Sequence, residues 1–174
     1  MILNNIKKNG LNYMKKNVFL SMALLSSLSL SAADKFVSFQ QGDLLLNANN
    51  QVHIYLDHND CRGVSYAVQA LIKDIQKVSG SPAFLLSDAN TALSGGSNSQ
   101  ANARAIIIVG TIGHSAAIDR LVKQRRLDAK LLQGKHEKFI ITLIDGQLVI
   151  AGSDRRGTIY GIYELSQQMG VSPW

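Results

Sequence analysis

One cysteine, two prolines and one tryptophan stand in 174 residues, and aromatic side chains make up only 6%. Cys61 has no second cysteine to join, so an internal disulfide is excluded. A lone cysteine of this kind is expected as a small buried hydrophobe rather than a nucleophile. Zinc-type spacing of Cys and His does not occur, so Asp57-His58-Asn59-Asp60-Cys61 reads as a polar loop with Asp60 or a neighbour capping the next helix, not as a metal site. Neither a dinucleotide fingerprint nor a Walker loop follows any strand, which argues against nucleotide binding even at the glycine turn Gly110-Thr111-Ile112-Gly113. Basic patches interleaved with aromatics are missing as well, so nothing points to nucleic acid. No apolar run reaches the roughly 20 residues that a membrane-spanning helix needs.

The positive charge present has a local source. Lys15-Lys16 precede an uncharged apolar run over residues 18–30, and Ser31-Ala32-Ala33 offers small residues for cleavage before Asp34. This is the layout of a secretory signal over residues 1–33, with Met14 as an alternative start, and it predicts a secreted or periplasmic protein with no membrane attachment after cleavage. Residues 1–33 hold four lysines and no acid, so 18 basic residues become 14 against 12 acids, and the net charge falls from +6 to +2.

Residues 34–174 are one domain's length. Short strands are expected over residues 35–39 and 43–46, paired through Gln40-Gln41-Gly42, and over 52–56, where Val52, Ile54 and Leu56 alternate with His53 and Tyr55 on a face expected towards solvent. Residues 64–78 carry Val64, Ala67, Val68, Leu71, Ile72, Ile75 and Val78 on one stripe, the pattern of an amphipathic helix closed by Gly80-Ser81-Pro82. A strand over 83–86 precedes a Ser-, Asn- and Gly-rich surface loop over 87–104. Residues 105–109 are wholly apolar, as in a strand buried on both faces, and lead through the glycine turn, with His114 as a weak contact candidate, to a short helix over 116–122. Residues 123–138 read as a solvated basic connection, followed by two apolar strands joined by Asp145-Gly146, the preferred two-residue hairpin turn.

The second strand of that hairpin launches a helix at Ser153-Asp154, either of which can cap it. Ile159, Ile162, Tyr163, Ser166 and Met169 recur at helical spacing, and Gly157 and Gly161 stand one turn apart beside them. Each glycine costs a helix about 1 kcal/mol against alanine, so two on one stripe predict a close backbone approach, as where a helix lies tight on a sheet. Gly170, then Pro173, ends it. Arg155-Arg156 occupy the first turn, where the helix dipole favours acids, so pairing with carboxylates or an anion site is expected there. The element order predicts an α/β two-layer sandwich: a mixed sheet with the helices around Leu71 and Ile162 on one face.

The run from Ala151 through Gly152-Ser153-Asp154-Arg155-Arg156-Gly157-Thr158-Ile159-Tyr160-Gly161 to Ser166, closing in Gly170-Val171-Ser172-Pro173-Trp174, resembles the block that ends the N-terminal domain of glycoside hydrolase family 115. Ile107-Ile108-Val109-Gly110-Thr111-Ile112-Gly113 and Leu132-Gln133-Gly134-Lys135 resemble that domain too, in the expected order. Members are xylan α-glucuronidases. The resemblance implies a glycosidase accessory domain whose catalytic barrel, with its acid pair, lies beyond this chain and is its partner. It also implies plant xylan with glucuronic acid or 4-O-methyl-glucuronic acid side chains as substrate of the parent enzyme and no catalytic residue in this domain, and these residues imply no cofactor. Arg155, Arg156 and Glu164 are the residues expected at the substrate or interdomain side, while Tyr160, Tyr163 and Trp174 are expected at an interface. Other readings are an independent carbohydrate-binding or cell-surface module, or the accessory domain of a hexosaminidase-like glycosidase, which shares a looser form of the pattern. Association into a homo-oligomer stays open.

Overall fold

The computed structural model describes residues 2–3, 36–38, 44–45, 51–89, 93 and 107–172. Most of residues 1–33, most of residues 87–104, and Trp174 lie outside the described residues.

Five strands form a mixed sheet: β4 (Val52–Leu56), β5 (Ala83–Leu86), β6 (Ile107–Thr111), β7 (Phe139–Ile144) and β8 (Gln147–Gly152), in the order β5-β4-β6-β8-β7. β4 pairs parallel with β5 and β6, and β6 with β8. Only β7 runs antiparallel, joined to β8 through Asp145-Gly146 with both φ values positive, 50° and 70°. Those angles give the twist that a two-residue hairpin needs. β6 and β8 are buried along their whole length, because helices cover both faces of the parallel strands.

Three helices follow from the parallel strands: α1 (Arg62–Ser79), α2 (Ala116–Lys123) and α3 (Arg155–Gln168). α1 and α3 pack side by side on one face, over Val52, Ile54, Ile107, Val109, Leu148 and Ile150. The expected stripe of α1 is the buried one, with Val64, Ala67, Val68, Leu71 and Ile75 inside. Along α3 the buried set is Gly157, Thr158, Gly161, Ile162, Leu165 and Ser166. Tyr163, expected in that stripe, is 50% exposed, because the glycine stripe is the one that faces the sheet.

The opposite face is not bare. Tyr55, Ile108, Val149 and Ala151 pack there against Ala117, Ile118 and Leu121 of α2 and against Leu127 and Leu132. Two sequence expectations are corrected by this second layer. Tyr55 is fully buried rather than solvent-facing, and the 123–138 connection is not simply solvated. A 3-10 turn at Ala129–Leu131, capped by the Asp128 carboxylate on the Lys130 N–H, lets Leu127 and Leu132 reach inward. A third correction concerns the first strands. β1 (Ile2–Leu3) lies between β2 (Val37–Ser38) and β3 (Leu44–Leu45) in a small antiparallel sheet, so β2 and β3 do not pair with each other as a hairpin.

At its glycines α3 lies so close to the sheet that no side chain can fit there. A Cβ on Gly157 would collide with the backbone carbonyl of Lys138, and one on Gly161 would stand 2.7 Å from Ile150 Cγ2. A Cβ on Gly152, where β8 ends, would strike the backbone of Thr158. Gly157→Ala is therefore expected to lower stability by about 2–3 kcal/mol. Gly63→Ala is expected to raise it by about 0.5–1 kcal/mol, through helix propensity. There the new Cβ meets only side-chain carbons of Arg155 and Ile159, at 3.5 Å. Thermal melts of the two variants read the opposite signs directly.

Candidate functional site

β4, β6 and β8 point their C-terminal ends to the same edge, and three loops leave from it. The helix after β4 covers one face and the helix after β6 the other, so the chain changes direction between these two strands. Open parallel sheets bind ligands at such a crevice. Here carboxylates fill it. Asp57 is 5% exposed; its Oδ1 accepts the Asn59 N–H at 2.9 Å, and its Oδ2 accepts the Ala116 N–H at the start of α2 and the Tyr55 hydroxyl, each at 2.9 Å. Burial works against the charge of Asp57, but the N–H groups of Asn59 and Ala116, the Tyr55 hydroxyl and nearby His58 outweigh it and hold its pKa below the ordinary carboxylate value. Burial and the adjacent Asp57 push the Tyr55 phenol up.

Of the expected cap candidates, Asp60 or a neighbour, it is the neighbour that stands at the start of α1. The N-cap is Cys61, with no side-chain cap bond. Asp60 reaches across to β6 instead, accepting the Thr111 N–H at 2.7 Å and the Thr111 hydroxyl at 2.9 Å. The Thr158 hydroxyl lies 2.8 Å from that of Thr111 and 3.0 Å from the Asp154 carbonyl, and its one hydrogen can go to either. A line of hydrogen bonds thus joins the loop after β4, the end of β6 and the first turn of α3. Asp154 caps α3, accepting the Gly157 N–H at 2.8 Å, and also takes the Glu137 N–H at 2.8 Å. The Glu137 and Gly157 N–H groups lower its pKa.

The arginines expected at the site stand at this edge, both exposed. Arg156 is ion-paired to Glu137 at 2.8 Å and donates to the Tyr160 hydroxyl at 2.8 Å, which is the carboxylate pairing expected for it. Arg155 lays its stem beside Gly63 of α1. Glu164 is half-buried two turns further along α3, accepting from Gln168 Nε2 at 2.9 Å, so it does not converge with the arginines. At a rise of about 1.5 Å per residue, eight residues separate it from Arg156 by about 12 Å along the axis. His114 is exposed at the same edge. Among the described residues, no group of three His, Cys, Asp or Glu converges as metal ligands would, and no helix is long and apolar enough to cross a membrane.

A separate groove opens further along the two-helix layer. It holds about 360 Å³ and is lined by Asp74 of α1, by Tyr163, Ser166 and Gln167 of α3, and by Val171 and Ser172. The turn that closes α3 builds its end wall: Gly170, at φ 89°, donates to the Gln167 carbonyl, and the Val171 N–H returns to the Ser166 carbonyl at 3.0 Å. Ser166 Oγ is buried without a hydrogen-bond partner. Sequence spacing placed Tyr163 and Ser166 with the core, and only the two-helix packing shows that they share a groove with Asp74.

Acidification is expected to destabilise the fold in a definite window. Asp57 and Asp154 have folded pKa values below their unfolded ones, so their contribution is present above about pH 4 and is lost as pH falls through the folded values. Asp57→Asn, which sets amide hydrogens against these donors, is expected to cost about 2 kcal/mol at pH 7. It should also flatten the dependence of melting temperature on pH between about 7 and 3. Melts of wild type and variant across that range test both.

No family model and no curated protein matches the sequence. Among solved structures, the chain is similar to one described as "A novel family GH115 4-O-Methyl-alpha-glucuronidase, BtGH115A, with specificity for decorated arabinogalactans", with 33% identity and a TM-score of 0.57 over 71% of this chain. It is also similar to one described as "Structure of CpGH84D", with 9% identity and a TM-score of 0.49 over 71% of this chain. The chain spans 14% of the length of the first and 18% of the second. The first similarity supports a glycosidase-related domain of GH115 type.

Proposed function

We propose that this chain is the N-terminal, non-catalytic domain of a secreted glycoside hydrolase. Its role is to support a catalytic barrel that removes glucuronic acid or its 4-O-methyl ether from a decorated plant polysaccharide such as xylan. The observation that carries the reading is the 33% identity to an α-glucuronidase of which this chain spans 14%.

The chemistry of the sheet edge is consistent with a supporting role. Glycoside hydrolysis needs two carboxyl groups free to act as acid and as base or nucleophile. Asp57, Asp60 and Asp154 are instead committed to backbone N–H groups and hydroxyls that hold the loops together. Arg155 and Arg156 lie at the edge where a following domain or its anionic substrate would meet them, and guanidinium forks suit carboxylates. Signal cleavage before Asp34 would deliver the domain outside the cytoplasm.

The test is to read the coding DNA past the Trp174 codon and express the protein it encodes. The longer protein is expected to release 4-O-methyl-glucuronate from glucuronoxylan, and the 174-residue chain alone to release none. Release by the chain alone, or a reading frame that continues without an acid-bearing barrel, overturns the reading.

A further inference from the structure

We propose that the groove between α1 and α3 is a binding site for a neutral sugar residue of a polysaccharide, separate from the sheet edge described above. Its volume of about 360 Å³ falls among those of small-molecule sites, about 300–1,000 Å³. The lining has the composition that a sugar needs. Tyr163 is half exposed and can offer an aromatic face to the C–H side of a pyranose ring, and Val171 adds apolar surface. Asp74, Ser166, Gln167 and Ser172 bring a carboxylate, an amide and two hydroxyls to one space.

The second observation is Ser166. Its side chain belongs to a residue only 4% exposed, and its hydroxyl oxygen has no partner. Native proteins seldom leave a buried hydroxyl unpaired without a reason. Ser115 Oγ differs: it is pressed against Gly110, where a Cβ would lie 2.5 Å away, and it is not among the described residues that line this groove. Ser166 is among the residues that line the groove, with other polar groups around it, so its closed-off hydroxyl is the group that a ligand hydroxyl would complete.

The charge of the lining selects the class of sugar. Among the described lining residues Asp74 is the one ionised side chain, and no described Lys or Arg joins it. A carboxylate accepts well from sugar hydroxyls and repels a uronate. The site therefore fits a neutral backbone unit rather than the acidic side chain that the parent enzyme would cleave. The ligand class leans on the glycosidase reading above, whereas the residues follow from the groove alone.

Native gel electrophoresis of the whole chain through soluble arabinoxylan, arabinogalactan or mixed-linkage β-glucan tests this, with polygalacturonate as the acidic probe. At least one neutral glycan is expected to retard the protein. Tyr163→Ala is expected to weaken that retardation at least tenfold, and Ser166→Ala at least threefold, with both variants still melting cooperatively. A purely structural Ser166 would leave binding unmoved on substitution by alanine. Asp74→Asn should keep neutral binding and newly admit polygalacturonate. Retardation by no neutral glycan, by polygalacturonate alone, or undiminished in both the Tyr163 and Ser166 variants overturns the proposal and leaves the groove as a packing surface for another part of the polypeptide. Such a failure is separate from failure of the hydrolase reading, which is decided by sugar release from the longer protein.

Discussion

The contact on which the rest of this structure depends is the seating of α3 on the sheet. Gly152, Gly157 and Gly161 remove three side chains from one interface, so the helix backbone meets the backbone of residue 138 and the surface of β8. Glycine in a helix is costly by itself, about 1 kcal/mol against alanine. The cost is offset because close approach brings the Thr158 hydroxyl within 2.8 Å of Thr111 and places Asp154 where it can accept the N–H groups of Gly157 and Glu137. α1 then packs against α3 rather than against an open sheet, and the groove exists only because the two helices lie at that spacing.

Closing the edge in this way decides what the edge can do. In a doubly covered parallel sheet, the crevice between strands whose helices leave to opposite faces is the usual place for a ligand. Asp57 and Asp60 fill it with negative charge and turn that charge inward, onto the Ala116 and Thr111 N–H groups. A phosphate would have to displace carboxylates that already have their donors. The outer layer of the edge holds the exposed Arg155 and His114 and Arg156, which is paired with Glu137.

Much of the fold was legible because its signals are local. The α1 stripe, the Asp145-Gly146 hairpin, the Asp154 cap and the stop at Gly170 each depend on residues within a few positions of one another, and the two α3 glycines announced their close approach through their cost. The misreadings share the opposite property. Asp60 looked like a cap because its partner Thr111 lies 51 residues away. Tyr55 alternates with the apolar residues of β4 and so was assigned to water, whereas its hydroxyl is carried inside by Asp57. Leu127 and Leu132 were lost among basic neighbours, and the 3-10 turn that aims them inward has no strong sequence signature. The site followed the same rule. The place of Arg155 and Arg156 at a helix start could be read from the chain, and the company of Asp74 with Ser166 could not.

These two regions divide the chemistry of the domain by charge and by commitment. At the sheet edge Asp57, Asp60 and Asp154 are tied to backbone donors, so their charge stabilises loops. On the helix layer the reverse holds: Asp74, Tyr163 and Gln167 remain open around a buried hydroxyl that no protein group satisfies. A domain that contributed a catalytic acid would need the first region to be the unfinished one. Among the described residues the finished region is the edge and the unfinished one is the groove, and it is this contrast on which the proposed sugar site rests.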